Sequence, residues 1–198
     1  MPFPAKTNTD AILISAADII RTGGVASLSM RTLAARLGVR ASSLYRHFPD
    51  RSSIEKALAI RAADQLLERM HQSVSGLSGE RAVFAASRAY LDYATGDGAF
   101  YDIMMQSVVI AVPTETPVVH ESSKQLWDFF LSLISDATKL GDDADGAAAL
   151  WSFLHGFAVL SRSGQLGETP SKLSFARGTQ ALVRGLSVAD AEAVRATS

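Results

Sequence analysis

The chain contains no cysteine in 198 residues. Disulfide frameworks, thiolate nucleophiles and cysteine-bound metals are therefore excluded, and the composition fits a reducing cytoplasm, where the sequence reading places the protein. A long apolar run is also missing. The opening MPFPAKTNTD has no signal-peptide character, and the longest uncharged stretch, Gly146 to Ser161, falls short of the roughly 20 residues that cross a bilayer. That stretch reads as a buried core helix, and no membrane partner is expected. Catalytic signatures are absent too: there is no G-x-G-x-x-G, Walker loop, G-x-S-x-G or His-Glu-x-x-His. The Glu-x-x-His match at Glu68 to His71 needs a second copy to build a di-metal carboxylate bundle. None of His47, His120 or His155 has an acidic residue three places earlier. The chain is expected to be neither an enzyme nor a holder of metals or cofactors.

What is present is a globular balance, 47% apolar and 20% charged, which is enough to bury a core and too apolar for disorder. The net charge of −1 conceals a gradient along the chain. Residues 1–56 carry eight basic side chains (Lys6, Arg21, Arg31, Arg36, Arg40, Arg46, Arg51, Lys56) against four acidic ones (Asp10, Asp18, Asp50, Glu55), a net of +4. Residues 57–198 carry 11 basic and 16 acidic ones, a net of −5. A polyanion is attracted by one end and repelled by the other, the asymmetry of a chain that offers only its N-terminal part to nucleic acid. Solvated surfaces carry similar excesses, so charge alone leaves both readings open.

Helical spacing runs through nearly every segment, and no stretch alternates as a strand does. Ala11, Ile12, Ala16, Ile19 and Ile20 form an apolar stripe that Gly23 and Gly24 end. Ser29 can cap a second helix from Met30 to Leu37, with Leu33 and Ala34 inward and Arg31, Thr32 and Arg36 outward, stopped by Gly38. A third helix, from about Ala41 to His47, turns Leu44 and Phe48 inward; Pro49 breaks the chain and Asp50 caps a long fourth. Further helices are expected from Ser78 to Gly96, Gly98 to Ala111, Thr116-Pro117 to Leu140, Asp143 to Ser163 and Pro170 to Leu186. In each Thr-Pro pair a cap precedes the residue preset for the first helical position. The fold class is all-α with about nine helices: a three-helix N-terminal helix-turn-helix domain over 1–56, then a larger helical domain over 57–198.

Two short helices joined through Gly38-Val39-Arg40 have the layout in which one helix braces a second, whose polar face enters a major groove about 12 Å wide. Structural hairpins share that layout. The run ILISAADIIRTGGVASLSMRTLAARLGVRASSLYRHFPDRSSIEKAL, with L-Y-R-H-F and a basic residue three places after the phenylalanine, resembles the N-terminal domain of the TetR (tetracycline repressor) family over Thr9 to Leu58. The resemblance implies a ligand-responsive regulator, a repressor in expectation, that reads a near-palindromic operator in double-stranded DNA through paired recognition helices. It assigns phosphate contacts to Ser29, Arg31 and Thr32, and the start of the recognition helix to Arg40, Ala41, Ser42 and Ser43. It also assigns phosphate contacts to Tyr45 and His47, and a backbone contact to Arg51. The family commonly has serine or threonine where Arg40 stands and glycine where Ser42 stands. Arg40 is open to two readings, a phosphate or a guanine edge. Apart from the resemblance, Tyr45 reads equally as an interior aromatic, His47 as a helix C-terminal cation and Arg46 as a solvated charge.

Farther along, Trp151-Ser-Phe-Leu-His155-Gly156 resembles the W-x-x-x-H-G signature of one C-terminal subclass of these regulators. The eighth helix is apolar nearly all round and needs cover on more than one side. With the ninth it implies a homodimer bundle, packing within its own domain being the other reading. Tyr90, Tyr93, Phe100, Met104, Trp127, Phe130, Trp151 and His155 either fill a core or line a pocket for a small, largely apolar effector. A helical binding or enzyme module that keeps the N-terminal motif as scaffold is the competing reading of the whole.

Overall fold

The computed structural model describes residues 8–107, 121–139, 143–167 and 172–187. Among them are α1 (Thr9–Gly23), α2 (Met30–Leu37), α3 (Ala41–Leu44), α4 (Arg51–Ser73), α5 (Gly79–Gly96), α6 (Gly98–Ser107), α7 (Glu121–Thr138), α8 (Ala144–Arg162) and α9 (Lys172–Ser187). One 3-10 turn, Val25–Ser27, joins α1 to α2, and no strand occurs among the described residues. The all-helical expectation holds. Lys6, the two Thr-Pro caps and the expected helix ends at Ala111 and Leu140 lie outside the described residues.

The chain divides into two compact units, one of residues 8–63 with 99–107, the other of 64–98 with the described residues beyond 120. In the first, α1 starts at Asn8, whose side-chain oxygen accepts from the Ala11 N–H at 2.7 Å, and buries Ile12, Leu13, Ala16, Ile19 and Ile20. α2 opens on a reciprocal capping box. Ser29 Oγ accepts from the Thr32 N–H at 3.0 Å, and Thr32 Oγ1 accepts from the Ser29 N–H at 2.9 Å. Gly38 ends α2 in the left-handed region, φ 66° and ψ 28°, where a Cβ would be strained.

α3 is shorter than its spacing predicts. Regular α-helix closes at Leu44, and the N–H groups of His47 and Phe48 both donate to the Leu44 carbonyl at 2.9 Å, so residues 45–47 form a tight turn. Leu44 and Phe48 must both reach the core, and Pro49 disfavours helical backbone at the residue before it. α4 begins under Asp50, which accepts from the Ser53 N–H at 2.7 Å and the Ser53 hydroxyl at 2.8 Å. α6 adds Tyr101, Ile103 and Met104 to this unit's core, and the Arg21 guanidinium lies 5.2 Å over the Phe100 ring.

In the second unit α5, α7, α8 and α9 pack on one another. The carboxylate of Asp136, near the end of α7, accepts from the Gly79 N–H at 2.6 Å and so caps the start of α5; the two helices run antiparallel. Asp143 caps α8 through the Gly146 N–H at 2.8 Å. Val83, Tyr90, Tyr93, Leu126, Phe130, Ile134, Leu150 and Leu154 fill the core. A Cβ on Gly178 would stand 2.5 Å from the Phe153 ring, so the bare backbone lets α9 close on α8.

Candidate nucleic-acid interface and effector site

The capping box decides what α2 presents. Thr32 Oγ1, besides closing the box, donates to the Ser27 carbonyl at 3.1 Å, so the Ser29 and Thr32 hydroxyls serve the helix start while Arg31 projects into solvent. Arg40 occupies the cap position of α3 without a side-chain bond to the helix, and its side chain is exposed. The helix therefore begins without the hydroxyl cap common in the family. Ala41 and Ser43 are half-buried, whereas Ser42, Arg46 and His47 are exposed. Tyr45 is 52% exposed, which excludes the interior reading of that ring.

Among the described residues the ion pairs of the head are Arg21–Asp18, Arg36–Asp18, Arg51–Glu55 and Arg61–Asp10. Arg31, Arg40 and Arg46, all exposed, stand outside them. Arg51 differs: its Nε donates to Glu55 at 2.7 Å and its Nη2 to the Val25 carbonyl at 3.0 Å. The two Ser53 bonds, the backbone one first, hold the Asp50 carboxyl below its ordinary range.

Of the eight residues expected around an effector, six belong to the second unit and two to the first. Tyr90, Tyr93, Trp127 and Phe130 are core residues of the second unit, while Phe100 and Met104 belong to the first. Trp151 and His155 are half-buried on α8 with ring centroids 6.0 Å apart. Burial, with Asp97 adding to it, pushes the Tyr93 phenol above its usual value, and burial holds the His155 imidazole below its own. The second unit offers a cleft of about 500 Å³ whose lining includes the apolar Leu91, Phe157 and Phe175 and the cationic Arg88 and Arg162. None of the eight lines it. Among the described residues three buried polar atoms have no hydrogen-bond partner: Ser87 Oγ, Ser123 Oγ and Trp151 Nε1. The two serines escaped the sequence reading because a lone hydroxyl on an apolar helix face carries no signature. Glu68 accepts from Gln72 and the His71 ring meets Phe129 edge-on at 4.7 Å; among the described residues no group of three or more acidic or histidine side chains is placed to hold a metal.

Comparison with known proteins settles the family. Residues 12–58 match the family described as bacterial regulatory proteins, tetR family, and residues 83–182 match the tetracyclin repressor-like C-terminal domain. The chain belongs to the TetR family. It is a DNA-binding transcriptional regulator of the ligand-responsive kind. A HTH-type transcriptional regulator of Mycobacterium tuberculosis is 24% identical over 184 residues, 92% of this chain and 83% of that protein. Among solved structures, a protein of unknown function from Rhodococcus superposes on this TetR-family chain with a TM-score of 0.79 at 22% identity, covering 94% and 99% of the two chains. A TetR variant from Acinetobacter baumannii in complex with minocycline gives 0.64 at 19% identity, over 91% and 96%. Among the described residues no helix is long and apolar enough to cross a membrane.

Proposed function

We propose that this TetR-family chain is a homodimeric repressor that reads a near-palindromic operator with two copies of the Ala41–Leu44 helix and its following turn, set roughly 34–36 Å apart. One observation carries the reading: Arg31, Arg40, Tyr45, Arg46 and His47 of the helix-turn-helix are all exposed, on a head whose other described arginines are tied into ion pairs. Arg31, Tyr45 and His47 meet phosphates, aided by the N–H groups at the start of α2 that Ser29 and Thr32 organise. Arg40, Ala41, Ser42 and Ser43 open the recognition element toward the bases.

The body, from about residue 57, pairs two protomers and holds a small, largely apolar effector. Val159 and Leu160 of α8 and Leu173 of α9 are large apolar side chains 42%, 39% and 59% exposed in the single chain, which supports a dimer seam on these helices. The unpartnered Trp151 Nε1 and Ser87 Oγ support an effector with a polar group inside an apolar envelope, in a body of the W-x-x-x-H-G kind with His155 beside Trp151. The minocycline complex of the Acinetobacter protein is one case of a ligand held by this fold. Effector binding shifts operator affinity to the extent that it prefers one conformation of the dimer.

The test is a gel-shift titration of the wild type on a duplex it selects from a randomised library, repeated over a range of salt. The logarithm of affinity should fall steeply with that of salt concentration, by roughly 0.9 per phosphate neutralised. A flat response, or a particle of monomer mass in light scattering, would remove the proposal.

A further inference from the structure

Arg51 is placed on the DNA backbone by family resemblance and on the protein by its own bonds. It is the first residue of α4. Its Nε donates to Glu55 one turn ahead, and its Nη2 donates to the carbonyl of Val25, 26 residues back in the turn between α1 and α2. Two nitrogens of a planar fork, each tied to a different element, fix the orientation of the whole guanidinium. Arg51 is 42% and Glu55 23% exposed, so the pair is partly shielded. The Val25 turn leads through Ser27, whose carbonyl receives the Thr32 hydroxyl, into the cap of α2, and α2 packs on α3. The far end of α3 returns to α4 through only the six residues 45–50.

We propose that Arg51 is a positioning residue: with Glu55 it latches the α1–α2 turn to the start of α4, and so sets the angle at which α2 presents α3 to the groove. The α2–α3 pair is then held at both ends by one helix, covalently behind α3 and through the guanidinium ahead of α2. An arginine neutralised by its own carboxylate brings little net charge to a phosphate, which is why the latch and the phosphate contact exclude each other as principal roles. The inference rests on the helix-turn-helix being the DNA-binding surface. Recovery of a duplex from a randomised library by the wild-type protein tests that first, before any substitution.

Two variants of the full chain, Arg51→Lys and Glu55→Ala, are then titrated on that duplex well below their melting temperatures. A latch needs the fork and its acceptor, so both variants should weaken binding about tenfold, the scale of one misread base pair. A phosphate contact needs only a positive point charge: Arg51→Lys would then bind within twofold of the wild type. Removing the acidic Glu55 from a DNA-facing surface would, on the same reading, strengthen binding. A residue that serves folding alone would lower the melting temperature and leave the affinity of both folded variants unchanged. Undiminished binding by Arg51→Lys, or undiminished or tighter binding by Glu55→Ala, overturns the latch.

Discussion

In the head, seven arginines split into four held by carboxylates and three, Arg31, Arg40 and Arg46, left in solvent, as is Tyr45. In the body the unsatisfied groups lie on the inside: Ser87, Ser123 and Trp151 keep polar atoms buried without partners, among side chains such as Tyr90 and Phe130 that solvent does not reach. An exposed, unpaired cation costs folding almost nothing and gains when a polyanion arrives. A buried, unpaired hydroxyl or indole N–H costs stability until something bonds it. Substitutions in the two regions should therefore read out in different measurements, affinity for the head and stability for the body.

The largest effect belongs to the body. Phe130→Ala removes a fully buried ring and should cost about 3–5 kcal/mol in urea denaturation. A loss under about 1 kcal/mol would mean that the ring borders open space, which would move it from the core to the wall of a pocket. In the head, Tyr45→Ala combined with Arg31→Ala should weaken operator binding about 100-fold, roughly tenfold from each contact, with unfolding free energy within about 0.5 kcal/mol of the wild type. Unchanged affinity would take both residues off the interface.

The glycines sharpen the same contrast. Gly178 is a matter of space: Gly178→Ala drives a methyl to 2.5 Å from the Phe153 ring and should cost about 1–3 kcal/mol, recovered in part by Phe153→Leu. Gly38 is a matter of conformation, since nothing lies within 4 Å of a Cβ built there, yet φ is 66°. Gly38→Ala should cost about 1–2 kcal/mol in thermal or urea unfolding, and no neighbouring truncation should rescue it. If a smaller neighbour does rescue it, the strain account of the turn is wrong.

The sequence exposed local devices far better than distant ones. Ser29, Gly38 and Asp50 each act within four residues of where they stand, so cap chemistry alone located both ends of α2 and the start of α4. The length of α3 escaped because it is settled by two core anchors, Leu44 and Phe48, pulling against the proline behind them. The bond from Arg51 to Val25 was not legible because that partner is 26 residues away and offers only a carbonyl, which any residue type has. Phe100 and Met104 carry the same apolar signal as Tyr90 and Phe130, yet α6 packs with the head's unit. Periodicity states that a side chain is buried, never against what.

The smallest expected effect separates two caps that look alike. Asp50 in the head and Asp136 in the body each accept a backbone N–H, from Ser53 and Gly79, and that bond is the first cause of each carboxyl's lowered pKa. A lowered native pKa means that the ionised form stabilises the fold above the ordinary carboxylate pKa, and that this contribution is lost as pH falls through the native value. Asp50→Asn and Asp136→Asn should thus lose stability relative to the wild type at pH 6, and the deficit should shrink once the pH drops below about 4. Asparagine also caps helices, which keeps both deficits small. The second contributions differ: Asp50 takes a neutral hydroxyl from Ser53, whereas Asp136 takes the Lys139 ammonium at 2.6 Å. High salt screens an exposed charge pair and leaves a hydroxyl bond alone, so 1 M salt at pH 6 should narrow the Asp136→Asn deficit and spare that of Asp50→Asn. Equal narrowing in both variants would show that Lys139 adds nothing to the body's cap and that the two sites work by the backbone bond alone.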